Sequence, residues 1–168
     1  GDFDGDSELD LAVALYSSHE IGLWKGDGEG NFEFLTRFIS RGRLPSDIEL
    51  ADFNGDDELD IAVSHCYTDD SLVFFYGVGD FTFSTSQEIL LGEEREVLEH
   101  EIRDLLVQDF NRDGRPDIAL ACYGSGRVVV LFNASEDASL PQRYEQEVYE
   151  FEEGKPRALC AADFDQNG

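Results

Sequence analysis

The feature that most limits the folds open to this chain is a thirteen-residue acidic stretch that returns at a near-constant interval. "GDFDGDSELDLAV" runs from Gly1 to Val13, "ADFNGDDELDIAV" from Ala51 to Val63 and "QDFNRDGRPDIAL" from Gln108 to Leu120, and "ADFDQNG" opens a fourth copy at Ala162. The leading aspartates, Asp2, Asp52, Asp109 and Asp163, lie 50, 57 and 54 residues apart. A period of this size marks a repeat architecture, in which each unit buries its apolar face against its neighbours. The approximate units are 1–43, 44–100 and 101–153, with 154–168 starting a fourth.

Each unit reads as short strands. "DIELADF", "DLLVQDF" and "ALCAADF" lead into the acidic stretches, and "LDLAVALY", "LDIAVSHCY" and "PDIALACY" leave them. "IGLWKG", "SLVFFYG" and "RVVVLFN" follow, then "FEFLTRFI", "FTFSTSQEIL" and "RYEQEVYEF". These runs are rich in Val, Ile, Phe and Tyr, are bounded by Gly, Asp and Asn, and are mostly too short for helices. In "LLGEEREVLEHEIRDLL" (Leu90 to Leu106) the charges suit a helix but the periodicity is poor, so its first half reads as a loop insertion that lengthens the second period. Four strands per fifty-odd residues predicts an all-β fold of β-propeller blades, about three of them four-stranded. Three blades cannot close a ring. The chain is therefore read as part of a larger propeller, and its two ends as complementary halves of one repeat that pair with segments outside this sequence.

Charge narrows the partners. A formal net charge of −26 repels nucleic-acid phosphates and anionic membrane surfaces, so no nucleic-acid partner is expected. With 41% apolar residues the chain is not an acidic disordered tail. It has no apolar run of membrane-spanning length, so no direct membrane insertion is expected. Cys66 and Cys122 are read as one repeat position, filled by Leu15 in the first unit, and hence as buried thiols; Cys160 lies elsewhere in the repeat.

The acidic stretch has a chemistry of its own. Asp2, Asp4, Asp6 and Asp10 stand at loop positions one, three, five and nine. Asp52, Asn54, Asp56 and Asp60 repeat the pattern, as do Asp109, Asn111, Asp113 and Asp117. Glu8, Glu58 and Arg115 hold position seven, where a backbone carbonyl commonly serves as ligand. Asp163, Asp165 and Asn167 begin a fourth loop that lacks position nine, half a site as it stands. Alternate oxygen-bearing side chains on a tightly curled backbone converge on one point. That point suits a hard cation taking six to eight oxygens, so calcium is favoured over magnesium. Zinc is disfavoured because no His or Cys falls inside the loops. An EF-hand would need glutamate at position twelve, where Val13, Val63 and Leu120 stand, together with flanking helices instead of strands.

These residues resemble a known family. "DFNGDDELDIAV" and "DFNRDGRPDIAL" are similar to FG-GAP/VCBS repeats, the calcium-loop blades of integrin α-subunit-type propellers. "WKGDGEGNF" (Trp24 to Phe32) resembles the family's G-x-G-x-F turn, "YGVGDF" (Tyr76 to Phe81) keeps a shortened form, and "LFNASEDASLPQRY" loses it. The resemblance implies a propeller of about seven blades, each loop joining the first two strands of a blade. It also implies bound Ca2+, an extracellular, cell-surface or periplasmic setting, and adhesion-type binding of a protein or glycan ligand. The alternative is the propeller part of a secreted carbohydrate-active enzyme such as a polysaccharide lyase. Gly114 stands at position six of the third loop, but Ser7 and Asp57 stand there in the first two. A left-handed backbone is easiest for glycine, so those two loops are expected to bend differently or to bind less tightly.

Other residues are read as structural. His65 beside Cys66 falls mid-strand without a second such pair, and His19 and His100 fall in loops. Trp24, Phe74, Phe75 and Tyr76 are expected between sheets. "NAS" at Asn133 to Ser135 is an N-glycosylation pattern common by chance. GxSxG, Walker, GxGxxG-in-βαβ and zincin motifs are absent, and no catalytic residue is assigned.

Overall fold

Runs of β-branched and aromatic residues punctuated by Gly and Asp become eleven strands and no helix in the residues described by the computed structural model, which are 1–66, 71–91, 101–136, 141–152 and 154–163. Strands β1 (Leu11–Leu15), β2 (Glu20–Gly26) and β3 (Phe32–Ile39) form a three-stranded sheet. Strands β4 (Pro45–Ala51), β5 (Asp60–His65), β6 (Ser71–Gly77) and β7 (Phe83–Leu90) form the second sheet. Strands β8 (Ile102–Gln108), β9 (Asp117–Cys122), β10 (Arg127–Asn133) and β11 (Tyr144–Glu150) form the third. Every pairing is antiparallel, between strands consecutive in sequence, as in propeller blades. The acidic loops lie between β4 and β5 and between β8 and β9, and the first precedes β1. Residues 92–100, most of the expected insertion, lie outside the described residues.

The second sheet is covered on both faces, which is why β5 and β6 are buried along their whole length and lack the polar–apolar alternation of an exposed sheet. Ile61, Val63, Val73 and Phe75 meet Ile21 and Leu23 of the first sheet. Ala62, Leu72, Phe74 and Tyr76 meet Ile118, Leu120, Val129 and Leu131 of the third. Burying each large side chain contributes roughly 1.5–3 kcal/mol. The phenylalanine at loop position two belongs to this packing. Phe3 lies 5.6 Å from Phe81 between the first two sheets, and Phe53 lies 5.1 Å from Phe74 between the second and third, ring centroid to ring centroid.

Polar contacts also cross between sheets. Asp47 Oδ2 accepts the Leu105 N–H at 2.7 Å, and one blade further on Asp104 Oδ2 accepts the Leu159 N–H at 2.5 Å. Asn133 Nδ2 donates to the Phe53 carbonyl at 2.9 Å. That carboxamide is 1% exposed, so the "NAS" pattern sits inside the fold and offers no glycan attachment point there.

Three expectations need correcting. The stretch "ALCAADF" (Ala158 to Phe164) reads as a strand, but residues 155–163 form none. A strand requires a ladder partner. This stretch is held instead by the Asp104 carboxylate and by Lys155 and Arg157 over the Tyr123 ring, at 5.0 and 4.7 Å. Cys66 is not at the position of Leu15 and Cys122. Counted from the position-nine aspartates, each of which begins an uninterrupted run into its strand, that place belongs to buried His65, and Cys66 is one residue beyond. Both Cys66 and Cys122 are buried free thiols, and Cys160 is exposed. Trp24 packs on Phe34 of the neighbouring strand at 5.2 Å, outside the inter-sheet clusters that hold Phe74, Phe75 and Tyr76. His19 lies in the β1–β2 turn, where its Nδ1 accepts the Leu44 N–H at 3.0 Å. His100 lies outside the described residues.

Candidate metal centre

Each acidic loop is built on its position-nine aspartate. Asp10, Asp60 and Asp117 are buried at 2%, 0% and 0% exposure. One oxygen of each accepts the backbone N–H at loop position two: Phe3 at 2.9 Å, Phe53 at 2.8 Å and Phe110 at 2.9 Å. The other accepts the N–H that ends the next strand: Gly26 at 2.9 Å, Gly77 at 2.8 Å and Asn133 at 2.8 Å. The carboxylate thus bolts the loop mouth to the strand beside it. Glycine is needed at two of these strand ends, because a Cβ on Gly26 or Gly77 would lie 2.0 or 2.3 Å from the carbonyl oxygen of Leu9 or Leu59. Each carboxylate oxygen has a second lone pair, so the bolt leaves room for a further ligand.

The rest of the loop curls around position one. Asp2 accepts the N–H of Gly5 at 2.8 Å and of Ser7 at 2.9 Å. Asp52 accepts those of Gly55 at 2.7 Å and Asp57 at 2.9 Å. Asp109 accepts that of Gly114 at 2.8 Å. Position five then accepts the position-seven N–H, from Glu8 at 2.9 Å, Glu58 at 3.0 Å and Arg115 at 2.9 Å.

The three loops bend alike, so the different bend expected from position six is not found. Ser7, Asp57 and Gly114 all have left-handed φ, at 73°, 70° and 85°. Position four is left-handed as well, in Gly5 at 74°, Gly55 at 79° and Arg112 at 63°. The curl needs two such residues, and each loop spends one glycine on the pair: at position four in the first two loops and at position six in the third.

In loop 1 three of the carboxylates turn inward. One oxygen from each of Asp2, Asp4 and Asp10 lies within 4.8 Å of the others. Oxygens on opposite sides of a calcium ion with bonds of about 2.4 Å stand about 4.8 Å apart, so the cluster has the span that such an ion requires. All the donors are hard oxygens. Two of the position-seven side chains point elsewhere: Glu8 and Glu58 lie against the outer turns, where a Cβ on Gly28 or Gly79 would come within 1.9 or 3.1 Å of their Oε2 atoms.

The loops differ in how their charge is balanced. In loop 2 the Asn54 carboxamide donates to Asp56 Oδ2 at 2.9 Å, and in loop 3 Asn111 donates to Asp113 Oδ2 at 2.9 Å. Loop 1 has Asp4 at that position. There the Lys25 ammonium, from β2, contacts Asp4 and lies 2.8 Å from Asp6 Oδ2. Lys25 holds the Asp6 carboxyl below its ordinary pKa, and Asp4 and Asp6 hold the ammonium above its own. In loop 3 the Arg115 guanidinium lies 2.6 Å from Asp113 Oδ2, and its Nε donates to the Asn133 carbonyl at 2.8 Å. Among the described residues no Lys or Arg forms an ion pair with loop 2. There burial, joined by the charges of Asp56 and Asp52, pushes the Asp60 carboxyl up to about 7.

The structure therefore brings each set of positions one, three, five and nine into one loop: Asp2, Asp4, Asp6 and Asp10; Asp52, Asn54, Asp56 and Asp60; Asp109, Asn111, Asp113 and Asp117. Asp163 is exposed, and Asp165 and Asn167 lie outside the described residues. Sequence reasoning missed Lys25 and the strand-end N–H groups of Gly26, Gly77 and Asn133. Lys25 did leave a signal, because the other two copies put Tyr76 and Phe132 at its place, each just before the N–H bolted to position nine. Residues 2–63 match a family model described as FG-GAP-like repeat. No curated protein matches the chain.

Proposed function

We propose that this chain, an FG-GAP-like repeat over residues 2–63 whose second and third sheets carry the same loop, is a calcium-loaded propeller module for recognition of a protein or glycan outside the cell or in the periplasm. The observation that supports it most is the convergence of the Asp2, Asp4 and Asp10 oxygens within 4.8 Å. The same backbone curl recurs in loops 2 and 3. When bound, the ion supplies charge neutralisation to carboxylates that otherwise repel one another. The chain's own residues set the shape: position nine fixes the loop mouth, and positions one and five fix the curl. Each loop carries on position two a phenylalanine, two of which are wedged between sheets. Cation binding at the loop and docking of adjacent blades are thereby coupled.

The reading favours binding over catalysis because the position-one, position-five and position-nine carboxylates of the three loops are spent on loop architecture. No helix among the described residues is long and apolar enough to cross a membrane. Calcium titration calorimetry tests the reading. It should report up to three ions per chain, with one lost in Asp56→Ala and the others kept, since blades are separate units. No heat of calcium binding in the wild-type chain would refute it.

A further inference from the structure

In loops 2 and 3 a neutral donor at position three, Asn54 or Asn111, bridges to the position-five carboxylate at 2.9 Å. Loop 1 replaces that asparagine with a fourth carboxylate, Asp4. An acid at position three cannot donate to an acid at position five, and the two repel. The donor comes instead from 21 residues along the chain. Lys25 Nζ contacts Asp4 and lies 2.8 Å from Asp6 Oδ2, so a single ammonium bridges positions three and five as the carboxamide does in the other loops. Asp4 and Lys25 together perform the task of one asparagine. The strand position explains why this happens in one blade: Lys25, Tyr76 and Phe132 each precede the N–H bolted to position nine, and only the first can supply a charge. Tyr76 instead sends its hydroxyl to Gln87 Oε1 at 2.8 Å.

We propose that Lys25 is a resident counter-cation that sets loop 1 in its curled form without metal and that a divalent ion must displace. This rests on the calcium reading above. Asp4 is both a ligand candidate and the partner of Lys25, so the ammonium and the ion compete for its oxygens. Loop 1 consequently takes the ion more weakly than loop 2. Arg115 does not duplicate the device, because it meets position five alone while Asn111 still makes the bridge in loop 3.

The test uses the whole chain, with calcium chelated and then with Tb3+ as the probe ion. Trp24 is the chain's single tryptophan and adjoins Lys25, so terbium emission excited through it reports loop 1 in preference to the others. Lys25→Met should bind terbium at loop 1 up to about fivefold more tightly, since no half-exposed ion pair has to be parted before the ion enters. Its chelated form should melt below the wild type, because Asp4 and Asp6 lose their shared donor. Lys25→Arg should behave as wild type in the chelated melt. Asp4→Asn with Lys25→Met should restore that melt by recreating the loop 2 arrangement. Unchanged terbium affinity together with an unchanged chelated melt in Lys25→Met would overturn the proposal. If no variant binds terbium while the chelated melts shift and recover as stated, the calcium reading fails and the counter-cation role of Lys25 stands.

Discussion

Loops 1 and 2 share a scaffold and differ in how their charge is answered. Both are bolted by a buried position-nine aspartate to the same two backbone N–H groups, at 2.9 and 2.9 Å in loop 1 and 2.8 and 2.8 Å in loop 2. Both curl through left-handed residues at positions four and six, and both wedge a phenylalanine between sheets. Yet loop 1 presents four carboxylates at positions one, three, five and nine and carries its own ammonium. Loop 2 presents three and an asparagine, and no described basic side chain pairs with it. The comparison separates two jobs that one motif conceals. Position nine is architecture first, whereas positions three and five decide how much positive charge the loop must obtain from elsewhere.

The largest effects should be those the two loops share. Phe53→Ala and Phe3→Ala each remove a ring buried between sheets and should cost about 3–5 kcal/mol in urea unfolding. Phe110→Ala should cost far less, since that ring is 36% exposed. A cheap Phe3→Ala beside a costly Phe53→Ala would break the claim of a common scaffold. Asp60→Ala and Asp10→Ala come next. Each strands two buried N–H groups at about 1–3 kcal/mol apiece, so both variants should be strongly destabilised even with calcium chelated. Equal stability of Asp60→Ala and wild type in chelator would show that position nine serves the metal alone.

Calcium should then divide the loops. An independent site contributes roughly 2.7 kcal/mol when free calcium is a hundred times its dissociation constant. Asp56→Ala should forfeit that gain at lower calcium than Asp6→Ala, because no described basic side chain pairs with loop 2 and has to be displaced. Comparable losses at every calcium concentration would remove the distinction.

A pH series calibrates these melts. Burial, then the neighbouring Asp104 carboxylate, raises the Asp47 pKa in the folded chain. A raised folded-state pKa means that the folded chain holds this proton more tightly than the unfolded one. The associated stability is present in acid and is lost as pH rises past the ordinary carboxylate value toward the raised one. Asp47→Asn should reduce that slope by the same amount in variants of either loop that keep Asp60, leaving the part that the raised carboxyls of Asp60 and Glu49 contribute. An unchanged slope in Asp47→Asn would place its origin elsewhere. The smallest effects concern backbone. Ser7→Gly and Asp57→Gly should each be neutral or stabilising by less than about 1 kcal/mol, since both residues occupy a left-handed position that glycine adopts freely. A marked loss in either would mean that its side chain has a role beyond the curl.

The sheets and the loops were legible in the sequence because both are local. Strand runs announce themselves by composition, and alternate oxygens within nine residues announce a common centre. What was not legible depends on contacts between distant parts of the chain. Lys25 lies 21 residues from Asp4, and nothing near "WKGDG" says that its side chain turns back to the loop. The bolting role of Asp10, Asp60 and Asp117 was hidden because an aspartate that accepts backbone N–H groups and one that binds a cation are the same letter. The "NAS" of Asn133 matched a surface motif, but its carboxamide spans two blades. His65 displaced Cys66 because an alignment by residue type let one position slip, which the backbone count from Asp60 does not allow. "ALCAADF" (Ala158 to Phe164) looks like a strand by composition, yet residues 155–163 are held by a carboxylate and an aromatic ring in place of a ladder.

Anomalous-difference density from crystals grown at graded calcium concentrations addresses the central claim loop by loop. Peaks should appear among Asp52, Asn54, Asp56 and Asp60 at the lowest calcium and last among Asp2, Asp4, Asp6 and Asp10, with the Lys25 side chain withdrawn once that loop fills. Loops free of peaks at saturating calcium, or loop 1 filling first with Lys25 still on Asp4 and Asp6, would contradict the account.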